Sequence, residues 1–358
     1  MKRLIFALLL LGAGHVRAQE GPEYPAAAPE IRYVGRTLAA DDGVSFDWSG
    51  TWFECRFTGR SIALRASDTG RNYFNVTVDG QPVGTISIAG RDTLVVLASG
   101  LRRGEHHLRV QRRTEGELHA LRLDRGGRLL EAPAAPGRHI EFVGNSLTCG
   151  YGTEGRSADE PFKAETENCD KSFSCIVARY FGADYSLVSH SGQGAARNYG
   201  DANTTSPVTM ADRIGRTFDC AESPAWSFDE AVYRPDIVVI NLGTNDFSTL
   251  PHPTREEFRV AYLRILATLR EAYGDRVPIL CVAPRVEDPA FAYIRELCDD
   301  APYPNLGFAA VLPGYCNNDS DLGSSAHPNY EGQRKMAMLL IPYVSTMTGW
   351  SAPHAVVE

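Results

Sequence analysis

The sequence has only one long apolar run, Leu4 to Leu11, and it lies at the very start. Two basic residues, Lys2 and Arg3, precede the run, and Val16-Arg17-Ala18 follows it. The run is too short to span a membrane as a helix, and no cysteine directly follows it to carry a lipid anchor. The order of basic, apolar and small residues therefore predicts a signal peptide over residues 1–18. We expect a secreted or periplasmic protein without a membrane anchor.

The sequence also lacks an excess of basic residues and the cysteine and histidine spacings that are typical of metal sites. The formal net charge is −8 and the basic residues are scattered, which argues against a nucleic-acid partner. No cysteine or histidine spacing is typical of a zinc site, so we expect no metal. The eight cysteines permit disulfides. Cys169 with Cys175 and Cys298 with Cys316 are close enough in sequence, but the pairing does not follow from the sequence.

The N-terminal part of the chain has the pattern of a β domain. From Ile31 to Leu123, polar and apolar residues alternate in short runs between frequent turns, as in Tyr73 to Val78. Short strands at this spacing predict a sandwich or jelly roll. Residues 131–138 contain two prolines and a glycine, which is typical of a linker. We therefore predict a β domain over 19–130 and a second domain over 139–358.

In the second domain the hydrophobic period changes. His139 to Val143, Asp236 to Leu242 and Val277 to Val282 are short runs without alternation, as in strands buried on both faces. Thr254 to Tyr273 has apolar residues at helical spacing behind a threonine cap. Alternating strands and helices predict a parallel sheet with helices on both faces. The functional site is expected at the carboxyl ends of its strands.

Residues suited to acyl transfer follow these strands. Ser146, in Gly144-Asn145-Ser146, is in such a position, where we expect an accessible hydroxyl and nearby backbone N–H groups. Gly192 can present an unhindered N–H, and Asn245 can donate its side-chain amide to an oxyanion. His327 lies just before a helical run that Pro328 suits at its start, from where it can reach the serine. The Gly144 to Ser146 and Asn245 loops, each taken alone, are more typical of an ordinary turn than of a catalytic site.

Taken in this order, the serine, glycine, asparagine and histidine motifs resemble those of the SGNH hydrolase superfamily. Glu141 to Gly152 is further similar to a block of carbohydrate esterase family two, in which an aspartate usually stands at the Asn145 position. Arg112 to Glu115 and the Asn72 to Gly80 hairpin resemble the N-terminal jelly roll of that family. The resemblance implies a jelly-roll domain followed by a three-layer, flavodoxin-like SGNH domain.

The resemblance also implies a serine esterase that removes acetyl groups from hemicellulose such as xylan and glucomannan, without a cofactor. Ser146 takes the place of the nucleophile and His327 that of the general base. Gly192, Asn245 and the Ser146 N–H take the places of the oxyanion donors. Trp226 matches an aromatic residue at the acetyl-binding site, with ordinary packing as the alternative. The expected partner is an acetylated plant polysaccharide or oligosaccharide.

The acid that usually orients the histidine is missing from this sequence. Ser325 and Ser324 occupy the two positions where SGNH enzymes carry an aspartate, and the nearest acids upstream are Asp321 and Asp319. We therefore predict a serine–histidine dyad, in which a backbone carbonyl or a serine hydroxyl holds the His327 ring. Some esterases of the resembled family are understood to work with such a dyad.

Two other functions remain open. The chain can be a carbohydrate-binding protein with a degenerate SGNH domain, although the four intact motif residues count against this. It can also be an esterase of small-molecule or lipid esters. The sequence has no long apolar lid segment, which counts against lipids.

Overall fold

The computed structural model describes residues 23–40, 43–115, 118–126, 128–220, 222–229, 233–285, 287–311 and 318–351. The predicted signal peptide and Cys316 lie outside these residues. Cys169, Cys175 and Cys298 are free thiols, so the pairing of Cys169 with Cys175 is not formed.

Within the described residues, the N-terminal domain is an antiparallel sheet of nine strands, which confirms the predicted all-β domain. The strands are β1 (Ile31–Val34), β2 (Leu38–Ala40), β3 (Gly43–Ser45), β4 (Trp52–Thr58), β5 (Ile62–Val78), β6 (Gln81–Ala98), β7 (Glu105–Arg112), β8 (Leu118–Gly126) and β9 (Leu129–Leu130). Strand β5 pairs with β8 through its first part and with β7 through its last part, so the sheet curls on itself. The curled sheet encloses a core that includes four fully buried phenylalanines, Phe46, Phe53, Phe57 and Phe74.

Residues 131–138, the predicted linker, form neither helix nor strand. The second domain then begins with a parallel sheet whose described strands are ordered β11-β10-β12-β13-β14. These strands are β10 (His139–Gly144), β11 (Asp184–Ser189), β12 (Ile237–Asn241), β13 (Ile279–Ala283) and β14 (Leu306–Ala310). Strands β10, β12 and β13 coincide with the three apolar runs predicted from the sequence.

The helices of this domain are α1 (Ser146–Cys149), α2 (Phe173–Tyr180), α3 (Met210–Arg213), α4 (Thr244–Phe247), α5 (Arg255–Tyr273), α6 (Pro289–Asp300) and α7 (Tyr330–Thr348). Helices α2 and α7 pack together in one core cluster, and α5 and α6 pack in another. The sheet lies between them, which confirms the three-layer prediction. Helix α5 begins with the predicted Thr254 capping box. Helix α7 begins later than predicted, because Asn329 caps it and Pro328 lies outside it.

The two domains share core packing. Val34 and Trp52 of the β domain belong to the core cluster of α2 and α7, and Trp48 belongs to that of α5. Trp48 donates its indole N–H to the Thr217 carbonyl at 2.9 Å. The β domain is therefore built into the hydrolase domain along this face. Among the described residues, no helix is long and apolar enough to cross a membrane.

Candidate active site

Ser146 lies where β10 ends and α1 begins, at the carboxyl edge of the sheet. The Asn145 side chain accepts a hydrogen bond from the Leu147 N–H at 3.2 Å and so caps the short helix. A side chain at Gly144 would place its Cβ 2.0 Å from the Thr148 hydroxyl, so this turn requires glycine. Ser146 is only 7% exposed. The local sequence thus fixes the serine at the predicted position.

His327 contacts the serine directly. Its Nε2 lies 2.9 Å from the Ser146 Oγ, and its Nδ1 lies 3.0 Å from the Ser325 carbonyl oxygen. The carbonyl can only accept, so Nδ1 carries the proton of the neutral ring and Nε2 accepts from the serine hydroxyl. Burial lowers the pKa of His327 below its usual value, and the Arg285 charge also lowers it, while the Ser325 carbonyl opposes this. A neutral imidazole in this orientation is suited to act as a base.

The carbonyl that holds His327 comes from an unusual backbone turn. Ser325 and Ala326 have φ angles of 53° and 56°, in the left-handed region that side chains other than glycine rarely adopt. Their N–H groups donate to the carbonyls of Glu160 and Ala158 at 2.8 and 3.0 Å. The segment after Ser146 therefore holds the turn that orients the histidine. The predicted contact of the ring with a backbone carbonyl is confirmed.

Two aromatic residues beside the histidine were missed by the sequence reasoning. The Tyr151 ring lies 4.3 Å from the His327 ring and stacks on Phe162 at 4.0 Å, measured between ring centroids. Phe162 is 36% exposed. Tyr151 stands in the same motif as the serine, only five residues later, so its proximity was available as a signal. Phe162 carries no such signal.

The predicted oxyanion donors lie on adjacent loops. Asn245 follows β12 at the start of α4, and its Nδ2 donates one hydrogen to the Gln193 carbonyl at 2.7 Å. The second amide hydrogen has no acceptor among the residues that the structure describes, so it can bind a ligand. Gly192 follows β11 with a φ of 78°, which glycine adopts without strain. The structure thus joins the Gly192 and Asn245 loops, while their roles as oxyanion donors stay predictions.

Asp246 ties the same two loops together. It is fully buried, and its carboxylate accepts the N–H groups of Ala195, Ala196 and Arg197 at 2.7 to 3.0 Å. Burial raises the pKa of Asp246, and these three hydrogen bonds oppose that rise. In the sequence, Asp246 is marked only as the last residue of the Gly-Thr-Asn-Asp motif. Its three hydrogen bonds fix the loop that carries Gly192.

The other candidate residues lie elsewhere. Asp321 pairs with the Lys335 ammonium at 2.6 Å, Asp319 is exposed, and neither has a described contact with His327. The Trp226 ring contacts the Arg36 guanidinium and stacks on Tyr233. Tyr233 stacks in turn on His139, the first residue of β10, whereas Ser146 follows the last. These are packing contacts, and a substrate-binding role for Trp226 finds no support in them.

No group of three or more histidine, cysteine, aspartate or glutamate side chains in the described part of the chain is arranged to hold a metal ion. The residues that the structure brings together here are a serine, a histidine and candidate hydrogen-bond donors. Such a set can carry out acyl transfer through a covalent intermediate.

Comparison with known proteins places this geometry in a family. Residues 33–133 match the model of the carbohydrate esterase 2 N-terminal domain, and residues 142–335 match that of the GDSL-like lipase/acylhydrolase family. A solved family two carbohydrate esterase from Clostridium thermocellum, in complex with cellohexaose, is 32% identical with a TM-score of 0.81. The alignment covers 90% of this chain and 100% of that one. The chain belongs to carbohydrate esterase family two.

Curated relatives agree with this family two assignment. The cellulase/esterase CelE of Acetivibrio thermocellus is 35% identical over 90% of this chain, which spans 40% of the length of CelE. An acetylxylan esterase / glucomannan deacetylase of Cellvibrio japonicus is 27% identical, and the alignment covers 98% of this chain and 100% of that relative. Together with the two family models and the solved structure, these relatives confirm the predicted family and the two-domain fold.

Proposed function

We propose that this protein is an exported carbohydrate acetyl esterase that removes O-acetyl groups from hemicellulose such as xylan and glucomannan. The observation that carries the proposal is the 2.9 Å contact between the His327 Nε2 and the Ser146 Oγ. The substrate class is supported by the relative described as an acetylxylan esterase / glucomannan deacetylase. Export is supported only by the predicted signal peptide over residues 1–18.

In the first half of the reaction, the Ser146 oxygen attacks the acetyl carbonyl and His327 Nε2 takes its proton. The tetrahedral oxyanion is held by the Ser146 and Gly192 N–H groups and the Asn245 amide, each donor worth on the order of 10² to 10³ in rate. The histidine then gives the proton to the departing sugar oxygen. This leaves an acetyl-serine.

In the second half, water attacks the acetyl-serine and His327 again accepts the proton. The tetrahedral intermediate then breaks down to acetate, and the His327 imidazolium returns its proton to the Ser146 oxygen, which restores the free serine. The Ser325 carbonyl stabilises the imidazolium less than a buried carboxylate would, because it has no full charge. The oxyanion donors therefore carry a large share of the rate enhancement.

The surface around the pair suits a sugar. Tyr199 is 64% exposed, and its backbone N–H donates to the Gly192 carbonyl at 2.8 Å, so the backbone of this exposed tyrosine adjoins the Gly192 loop. Phe162 is partly exposed on the histidine side. Exposed aromatic rings pack against the apolar faces of sugars. A degenerate binding protein remains the second candidate, but the intact Ser146–His327 contact counts against it.

Acetate release measured across acetylated xylan, glucomannan and pectin tests the substrate class. Ser146→Ala is expected to abolish hydrolysis of an aryl acetate and to leave the fold intact, because only the attacking oxygen is removed. Ser157→Ala, at an exposed serine nearby, is the matched control. A Ser146→Ala variant with more than about a thousandth of the original activity would exclude this nucleophile.

A further inference from the structure

A carboxylate from the β domain reaches the loop that carries Gly192. Glu115 lies three residues beyond the end of β7, and its side chain is 17% exposed. Its Oε1 accepts the Ser191 N–H at 2.6 Å and lies 3.5 Å from the His190 Nδ1. Ser191 directly precedes Gly192. The N-terminal domain thus contributes a side chain to the rim of the hydrolase site.

The segment before Glu115 is firmly held in the second domain. Arg113 donates to the backbone carbonyls of Glu167 and Glu165 at 2.8 and 3.0 Å, and its own carbonyl accepts the Cys169 N–H at 3.1 Å. The Glu115 N–H donates to the Glu167 carboxylate at 3.2 Å. These contacts leave the Glu115 carboxylate little freedom to move away from Ser191.

The neighbouring carboxyl group of Glu167 is compatible with Glu115 as the hydrogen-bond acceptor for the Ser191 N–H. Glu167 is 1% exposed, and burial together with the neighbouring Glu115 carboxylate raises its pKa well above its usual value. The neutral form of Glu167 is thus favoured beside Glu115, whose Oε1 is the atom that faces the Ser191 N–H.

The peptide between Ser191 and Gly192 is held on both sides. The Ser191 N–H is bound by Glu115, and the Gly192 carbonyl accepts the Tyr199 N–H at 2.8 Å. Among the described residues the Gly192 N–H itself has no acceptor. A backbone N–H that is free and also held in one orientation is what an oxyanion hole needs, because it costs no reorganisation during the reaction.

We propose that Glu115 is a positioning residue for the oxyanion hole, which holds the Ser191–Gly192 backbone so that the Gly192 N–H faces the developing oxyanion. This inference rests on the proposed esterase function. It gives the β domain a direct part in catalysis. The essential feature of Glu115 is then a side chain long enough to bring an acceptor oxygen to the Ser191 N–H, and its negative charge is secondary.

Three variants at position 115 separate the effect of side-chain length and acceptor oxygen from that of negative charge. Glu115→Gln keeps the length and an acceptor oxygen, Glu115→Met keeps the length without an acceptor, and Glu115→Asp keeps the charge but is one methylene shorter. We expect Gln to retain kcat on an aryl acetate within about threefold. Met and Asp are expected to lose about tenfold or more, with KM changed by less than about threefold, because an oxyanion donor acts in the transition state.

Glu105→Gln is the matched control, since Glu105 is the first residue of β7, the strand that precedes Glu115, and pairs with Arg56 at an exposed site. Thermal unfolding identifies any variant that does not fold, and either Met or Asp suffices for the comparison with Gln. Full kcat in a folded Met or Asp variant would overturn the proposal. So would a Gln variant as slow as the Met variant. Ser146→Ala in the same assay reports separately on the esterase function.

Discussion

The predicted Ser146–His327 dyad is tested most directly at Asp321 and Asp319, the two nearest acids upstream of the histidine. Asp321 is 3% exposed and lies 2.6 Å from the Lys335 ammonium, and its carboxylate also accepts the Asn318 N–H at 3.1 Å. The His327 Nδ1 is already bound to the Ser325 carbonyl at 3.0 Å. Replacing Asp321 by Asn therefore removes a charge that serves the loop and helix α7, with the histidine contact left in place.

The magnitudes follow from these contacts. Asp321→Asn and Asp319→Asn, made singly, should each change kcat by less than about tenfold, against roughly 10⁴ for the loss of a true triad aspartate. The Asp321 carboxylate is buried and pairs with Lys335, so we expect Asp321→Asn to lower Tm while kcat stays within that range.

Initial rates on an aryl acetate give kcat, and thermal unfolding gives Tm for the same preparations. Asp319 is the internal control, because it is exposed in the same loop and has no ion pair among the described residues. A kcat loss approaching the triad value for either aspartate, without loss of fold, would show that the loop supplies a conventional triad. The dyad would then be wrong.

Three further outcomes are expected. Asn245→Ala should lower kcat by on the order of 10² with little change in KM, because its amide acts in the transition state, and an effect on KM alone would make it a substrate contact. The acid limb of the pH profile of kcat/KM should have its midpoint below pH 6.5. Burial lowers the pKa of His327, so the neutral, basic form of the ring persists to lower pH. A midpoint above pH 6.5 would contradict the assignment of His327 as the base. Gly155→Ala should lower both Tm and kcat, because its Cβ would lie 2.2 Å from the Ser324 nitrogen, whereas Gly215→Ala meets no atom within 4 Å and should change neither.

Much of the second domain was predictable because its signals are local. The β-branched runs of β10, β12 and β13 and the Thr254 capping box are properties of a few consecutive residues. Strand β14, with the sequence Leu-Gly-Phe-Ala-Ala, was missed because glycine and alanine have low strand propensity and the strand lies at the sheet edge. Its position depends on tertiary packing.

The sequence predicted the motif residues of the site, but not the residues from elsewhere in the chain that hold them in place. Ser146 and His327 stand at strand and helix ends that the sequence marks, whereas Glu115 reaches Ser191 across 76 positions from another domain. No spacing rule anticipates such a contact. The role of Trp226 stays a prediction, because a tryptophan near a strand carries no information on which end of the sheet its ring contacts.

The anchoring of the histidine ring has a consequence for the products of the enzyme. With Nδ1 bound to the Ser325 carbonyl and the ring against Tyr151, His327 has only Nε2 left to exchange protons in the proposed mechanism. The departing hydroxyl and the incoming water would then use the same place in turn. We therefore expect that, at high concentration, an alcohol or a free sugar hydroxyl takes the place of water. The acetyl group would then be transferred to it as a new ester, in competition with hydrolysis.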